Sequence, residues 1–169
     1  MLARFLAFRF FAQEYLGRMK KFLDETFEKF NKDWPSFEPK VRATQDEFEK
    51  GVDELISVFG DNVARKPGSV QFNRAIFDAL IYYHSQQRVR TAVRSKGARL
   101  RKSYNELFVT GSGFMGAIES DTAGAPNTFA RLELWGKALS KITGHTFDPP
   151  SIPHASKSPK PRAKKTGRR

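Results

Sequence analysis

The chain has 169 residues with 39% hydrophobic and 13% aromatic side chains, no cysteine, and a net charge of +12. That length supports one domain with a core of its own, and 16 phenylalanines predict a core rich in Phe rings. The lack of cysteine excludes disulfide, zinc-thiolate and thiol-nucleophile chemistry and suits a reducing cytoplasm; no apolar run approaches the roughly 18 residues of a membrane span.

Residues 1–16, MLARFLAFRFFAQEYL, carry no acid before Glu14 and so have the look of a targeting peptide. No small-residue cleavage signal follows, and Arg4 and Arg9 interrupt any apolar h-region. A first helix is the better reading, with Met1, Phe5, Phe8, Ala12 and Tyr15 along one packing face. Leu2, Phe5, Leu6, Phe8, Phe10 and Phe11 surround that helix, so some of them must face outward. Phe10 and Phe11 lie off the packing stripe and are the expected contact residues for a protein partner or a second copy.

Gly17 breaks the chain before a second helix over 18–31, with Met19, Phe22, Leu23, Phe27 and Phe30 inward. Asp33-Trp34-Pro35-Ser36 reads as a turn. A third helix over 37–59 keeps Val41, Thr44, Phe48, Val52, Leu55, Ile56 and Phe59 in one stripe, and Gly60 suits its end. The central element is a helix over about 72–84, FNRAIFDALIYYH, preceded by a turn with Ser69 as N-cap. Phe72, Ile76, Ala79, Leu80 and Tyr83 form one strip and Phe77 and Ile81 a second, so most of its circumference is apolar. Arg74 and Asp78 are spaced for an i,i+4 ion pair on the narrow polar edge.

Beyond it, Val89 and Val93, then Leu100, Tyr104, Leu107 and Phe108, give a basic stretch its apolar side, and Gly97 separates a short helix from one over 98–109. Phe114, Met115 and Ile118 predict a short helix, and Phe129, Leu132, Trp135, Leu139 and Ile142 a last one over 128–142. No strand alternation persists, so the class is all-α, one multi-helix domain over 1–144. From 145 to 169 the chain turns to Pro, Ser, Lys and Arg and is expected to be a disordered basic tail.

The charge is concentrated. Residues 86–105 hold Arg88, Arg90, Arg94, Lys96, Arg99, Arg101 and Lys102 and no acid; residues 154–169 hold Lys157, Lys160, Arg162, Lys164, Lys165, Arg168 and Arg169 and no acid. Taking these fourteen charges from +12 leaves −2 for the rest. Such asymmetry points to a polyanion, most simply nucleic acid, the alternative being a basic surface that serves solubility. Arg90, Arg94 and Arg101 share a stripe if the helix is continuous, and arginine forks suit phosphate. With Tyr104 as the only interleaved aromatic, contact with the backbone of duplex DNA without base readout is expected.

Other constellations are weak. His84, His145 and His154 lie far apart with no partner motif, Thr110-Gly-Ser-Gly113 lacks the lysine and strand of a phosphate loop, and no cofactor is implied. Glu119 and Asp121, beside the Ser/Thr/Gly loop, are a candidate pair for holding magnesium for hydrolysis, although two loop acids are usually caps and solvated charges.

Four blocks recur in order: RFLAF (Arg4 to Phe8), YLGRMKKFLD (Tyr15 to Asp24), ARKPGSVQFNRAIFDAL (Ala64 to Leu80) and TAGAPNTFARLELWGKAL (Thr122 to Leu139). Together they resemble the helical half of the GmrSD-type restriction family, whose N-terminal half is a ParB-like nuclease. The resemblance covers about residues 2–142, with FN-x-A-x-FDAL its most specific piece. In that family the active site lies in the other half, around an Asp-Gly-Gln-Gln-Arg motif that is absent here. Ser85-Gln86-Gln87-Arg88 echoes it only in part, so no catalytic residue transfers. The resemblance implies a truncated, split or excised part of a longer system for restriction of foreign DNA, docking a nuclease or binding DNA backbone. A freestanding nucleic-acid-binding protein is the rival reading, and hydrolysis through Glu119 and Asp121 the third.

Overall fold

The computed structural model describes residues 1–153. Among them are eight α-helices and no strand: α1 (Leu2–Phe11), α2 (Met19–Lys32), α3 (Trp34–Phe59), α4 (Arg74–His84), α5 (Gln87–Val93), α6 (Gly97–Glu106), α7 (Phe114–Glu119) and α8 (Ala125–Thr143). The all-α class read from the sequence is the observed one.

Helix α4 is the post of the structure. Every residue from Ala75 to Leu80 is buried, along with Ile81, Tyr83 and His84, and α1, α3, α5 and α8 all pack against it. Its N-cap is Asn73, not Ser69: the Asn73 carboxamide oxygen accepts from the backbone N–H of Ala75 at 2.9 Å and of Ile76 at 3.1 Å. Phe72 therefore falls outside the helix and is exposed. Asp78 also departs from the expected i,i+4 pair with Arg74. It is buried and bonded to Arg4 of α1, with Arg131 Nη2 of α8 at 3.8 Å from Oδ2 of the same carboxylate. Arg131 is wholly buried and donates to the carbonyls of Thr122 at 2.8 Å and Ala117 at 3.4 Å. Burial pushes the Arg131 guanidinium below its ordinary value, with Asp78 opposing; at half-buried Arg4, burial is outweighed by Asp78, which leaves Arg4 raised. The charges thus tie α1, α4 and α8 together.

Close approach is secured by two glycines. A side chain at Gly51 would meet Ser85 N at 2.8 Å where α3 crosses the end of α4, and one at Gly136 would meet Tyr83 Oη at 2.5 Å. The Asp33-Trp34-Pro35-Ser36 segment is a turn only at Asp33; Pro35 sits in the first turn of α3, where its missing N–H costs nothing. On the α3 stripe, Val41, Leu55 and Phe59 are buried, whereas Ile56 is 54% exposed.

Two expectations are corrected. Phe10 and Phe11 do not form an open face: both are partly buried, meeting Phe30 at 5.3 and 5.6 Å and Phe37 at 6.0 Å between ring centroids. The α2–α3 hairpin folds back over α1 and supplies the aromatic cover that the isolated helix lacked. The folded part also runs past 144, because Phe147 and Ile152 are buried in the core. Backbone N–H of Phe147 donates to Ser140 Oγ at 3.0 Å, so the proline-bearing segment is laid down along α8 before the chain reaches the basic tail.

Candidate nucleic-acid interface

Between Asp78 and Glu106 the sequence has no acidic residue, and this span folds as the end of α4, then α5 and α6. Val89, Val93, Leu100 and Tyr104 are buried, which turns the basic positions of both short helices outward. The stripe expected from a continuous helix does not form, because the chain turns between Val93 and Gly97 and splits it in two.

The seven cations then separate by task. Arg90 is half-buried, and its Nη1 donates to the carbonyls of His84, at 3.0 Å, and Ser85. It closes the C-terminal end of α4, where a cation also meets the negative end of the helix dipole. Lys96 Nζ donates to the Ala92 carbonyl of α5 at 2.8 Å, and Arg101 Nη1 to the Val58 carbonyl near the end of α3 at 2.9 Å. Arg88 bonds Gln86 Oε1 at 3.0 Å and lies 5.4 Å over the Phe147 ring, yet it stays exposed. Arg94, Arg99 and Lys102 are exposed. None of the seven forms an ion pair with a carboxylate among the described residues; the pairs lie elsewhere, as Lys21–Glu25, Lys29–Glu14, Arg42–Glu38 and Lys137–Glu133.

The second basic group, Lys157, Lys160, Arg162, Lys164, Lys165, Arg168 and Arg169, lies outside the described residues, as does His154. The chain passes the first group on its way there, since Phe147 packs under Arg88 and His145 shares a shallow surface with Gln87, Arg88 and Thr91.

Glu119 and Asp121 take other work. Glu119 is bound by Lys66 Nζ at 2.7 Å, and Asp121 sits at φ +42° with its carboxylate filling the space beside Gly124. His84 is wholly buried, with Nδ1 against Glu54 and its ring stacked on Trp135.

One basic group escaped the sequence reading. Arg65 and Lys66 open the loop before α4, and with Arg101 they line a cleft of about 260 Å³ beside α6. The signal was present as two adjacent cations ahead of Pro67-Gly68, a turn that holds neighbouring side chains at the surface. No family model, curated protein or solved structure matches the chain.

Proposed function

We propose that the chain is a non-catalytic helical module that holds duplex DNA by its phosphate backbone and works beside a nuclease of the ParB-like restriction type. The observation that carries the binding is the α5–α6 surface, whose one acid, Glu106, stands at the last position of α6 and on which Arg88, Arg94, Arg99 and Lys102 are exposed and form no ion pair among the described residues. Unopposed cations on ordered helices hold a positive field that surface pairs would cancel, and such a field attracts a polyanion. Backbone contact positions a duplex without reading it, which suits a face where cations outnumber the two exposed amides, Gln87 and Asn105, and no aromatic of α5 or α6 is exposed.

The association with a nuclease is supported by the sequence blocks. FNRAIFDAL, the most specific of them, spans the cap and buried face of α4, with Asn73 as cap and Asp78 in the buried ion cluster. The block therefore marks the scaffold, and any DNA contact belongs to α5 and α6 beside it.

Fluorescence anisotropy with labelled 20-base-pair duplexes of unrelated sequence tests the binding. Wild type binds them alike, and the Arg88→Gln/Arg94→Gln/Arg99→Gln/Lys102→Gln variant binds at least tenfold more weakly with an unchanged melting temperature. Equal binding by wild type and variant overturns the reading.

A further inference from the structure

The loop between α3 and α4 is held in a shape that its own sequence does not favour. Ala64, fully buried, adopts φ +55°, a left-handed conformation that a residue with a Cβ rarely takes. Three bonds impose it: Arg65 N–H donates to the Asn62 carbonyl at 3.1 Å, Asn73 N–H to the Ala64 carbonyl at 2.9 Å, and Tyr104 Oη to the Arg65 carbonyl at 2.6 Å. Burial pushes the Tyr104 hydroxyl well above its ordinary range, and a phenol is protonated at neutral pH in any case, so it donates here. Backbone strain held this way gathers where side chains must be placed for a ligand. The residue whose backbone is fixed beside Ala64 is Arg65, through its N–H and its carbonyl.

Arg65 faces a cleft of about 260 Å³ whose walls also carry Arg101, Lys66, Asn62 and Asn105, with buried Phe59 and Tyr104 beneath. No acid lines it. Lys66 is shared with Glu119, and Arg101 spends one nitrogen on the Val58 carbonyl, which leaves its remaining N–H groups available. The Arg65 side chain forms no hydrogen bond or ion pair among the described residues. Two guanidinium forks and two amides are donors for a compact oxyanion. The volume is below the roughly 300–1,000 Å³ of ordinary small-molecule sites.

We propose that this cleft binds a phosphate monoester, as carried by the end of a nucleic-acid strand or by a free nucleotide. A monoester bears about −1.5 to −2 charges near neutral pH against −1 for a backbone diester, so it draws more from two forks. A cleft floored by Phe59 and Tyr104 accepts a group that projects, whereas a continuous duplex passes over it. The strand-end source rests on the nucleic-acid reading above; the free-nucleotide source does not.

The test compares short duplexes ending in 5′-phosphate, 3′-phosphate or hydroxyl only, and adds inorganic phosphate and a nucleoside 5′-monophosphate as competitors. A terminal phosphate should tighten binding about tenfold, and Arg65→Gln should abolish that gain while hydroxyl-ended duplexes bind variant and wild type alike. Gln keeps the backbone carbonyl that Tyr104 bonds, so the melting temperature should hold. Binding of the nucleoside monophosphate alone, lost in Arg65→Gln, supports the cleft with a free nucleotide as its ligand, even if duplex binding fails. Equal affinity for all duplex ends together with no binding of either competitor at millimolar concentration overturns the cleft, whether or not the α5–α6 face binds DNA.

Discussion

The outer face of the α2–α3 hairpin and the α5–α6 surface both carry dense charge, but only the first neutralises itself. On α2 and α3 three of the seven cations meet carboxylates, as Lys21–Glu25, Arg42–Glu38 and Lys29–Glu14, and the other four, Lys20, Lys32, Lys40 and Lys50, are interspersed among the nine acids of the same two helices. On α5 and α6 the cations have backbone carbonyls or solvent, and the one acid, Glu106 at the end of α6, pairs with none of them. Exposed pairs contribute roughly 0–1 kcal/mol and cancel each other's field, so the hairpin surface is a solvated exterior. The unopposed surface keeps its field and is the one that calls for a partner. Charge density alone did not separate them. Pairing did.

The comparison assumes that surface pairs matter little to the fold, and the buried cluster sets the scale. Asp78→Ala should lose about 3–5 kcal/mol in urea unfolding, because Arg4 and Arg131 are left without their counter-charge. Glu25→Ala on α2 should stay within about 0.5 kcal/mol. Similar losses for the two would mean that the hairpin pairs hold structure after all.

The C-terminal segment sharpens the contrast between chain that packs and chain that carries charge. Each fully buried apolar side chain contributes about 1.5–3 kcal/mol. A chain ending at residue 145 loses Phe147 and Ile152 from the core and should be destabilised by about 3 kcal/mol or more. A chain ending at 153 keeps both and should lose less than about 0.5 kcal/mol in the same urea measurement. Equal stability of the two truncations would place residues 146–153 outside the core.

Within the basic stretch itself the effects are smaller and opposite in kind. Arg90→Gln should cost about 1–2 kcal/mol, since its charged hydrogen bonds to the α4 carbonyls are lost. Arg94→Gln should cost less than about 0.5 kcal/mol but weaken DNA binding more than Arg90→Gln does. Thermal melts and anisotropy on the two variants decide it; the reverse pattern would make Arg90 the binding cation and Arg94 the structural one.

Much of the fold was legible from apolar spacing, because a 3.6-residue stripe such as Val41–Leu55–Phe59 depends only on which face is buried. Boundaries set by side-chain caps were less so: Ser69 and Asn73 are both competent N-caps, and only the loop held by Ala64 decides for Asn73. Asp78 was misassigned because helical spacing shows Arg74 as a neighbour but cannot show Arg4, 74 residues away, arriving from α1. Phe10 and Phe11 were misjudged for the same reason, as their cover comes from Phe30 and Phe37 on other helices. The basic candidates were found from composition, yet the division of Arg90, Lys96 and Arg101 from Arg88, Arg94, Arg99 and Lys102 needed the carbonyls of neighbouring helix ends.

The salt dependence of duplex binding tests the central claim most directly, measured for wild type, for the fourfold α5–α6 variant, and for a variant with Lys21, Lys29 and Arg42 changed to Gln. Each phosphate neutralised on duplex DNA adds about 0.9 to the log–log slope. Losing Arg88, Arg94, Arg99 and Lys102 should therefore flatten the slope by about 3 to 4, and the hairpin variant should keep the wild-type slope. Equal slopes for wild type and the α5–α6 variant, or a flattened slope for the hairpin variant, would contradict the account.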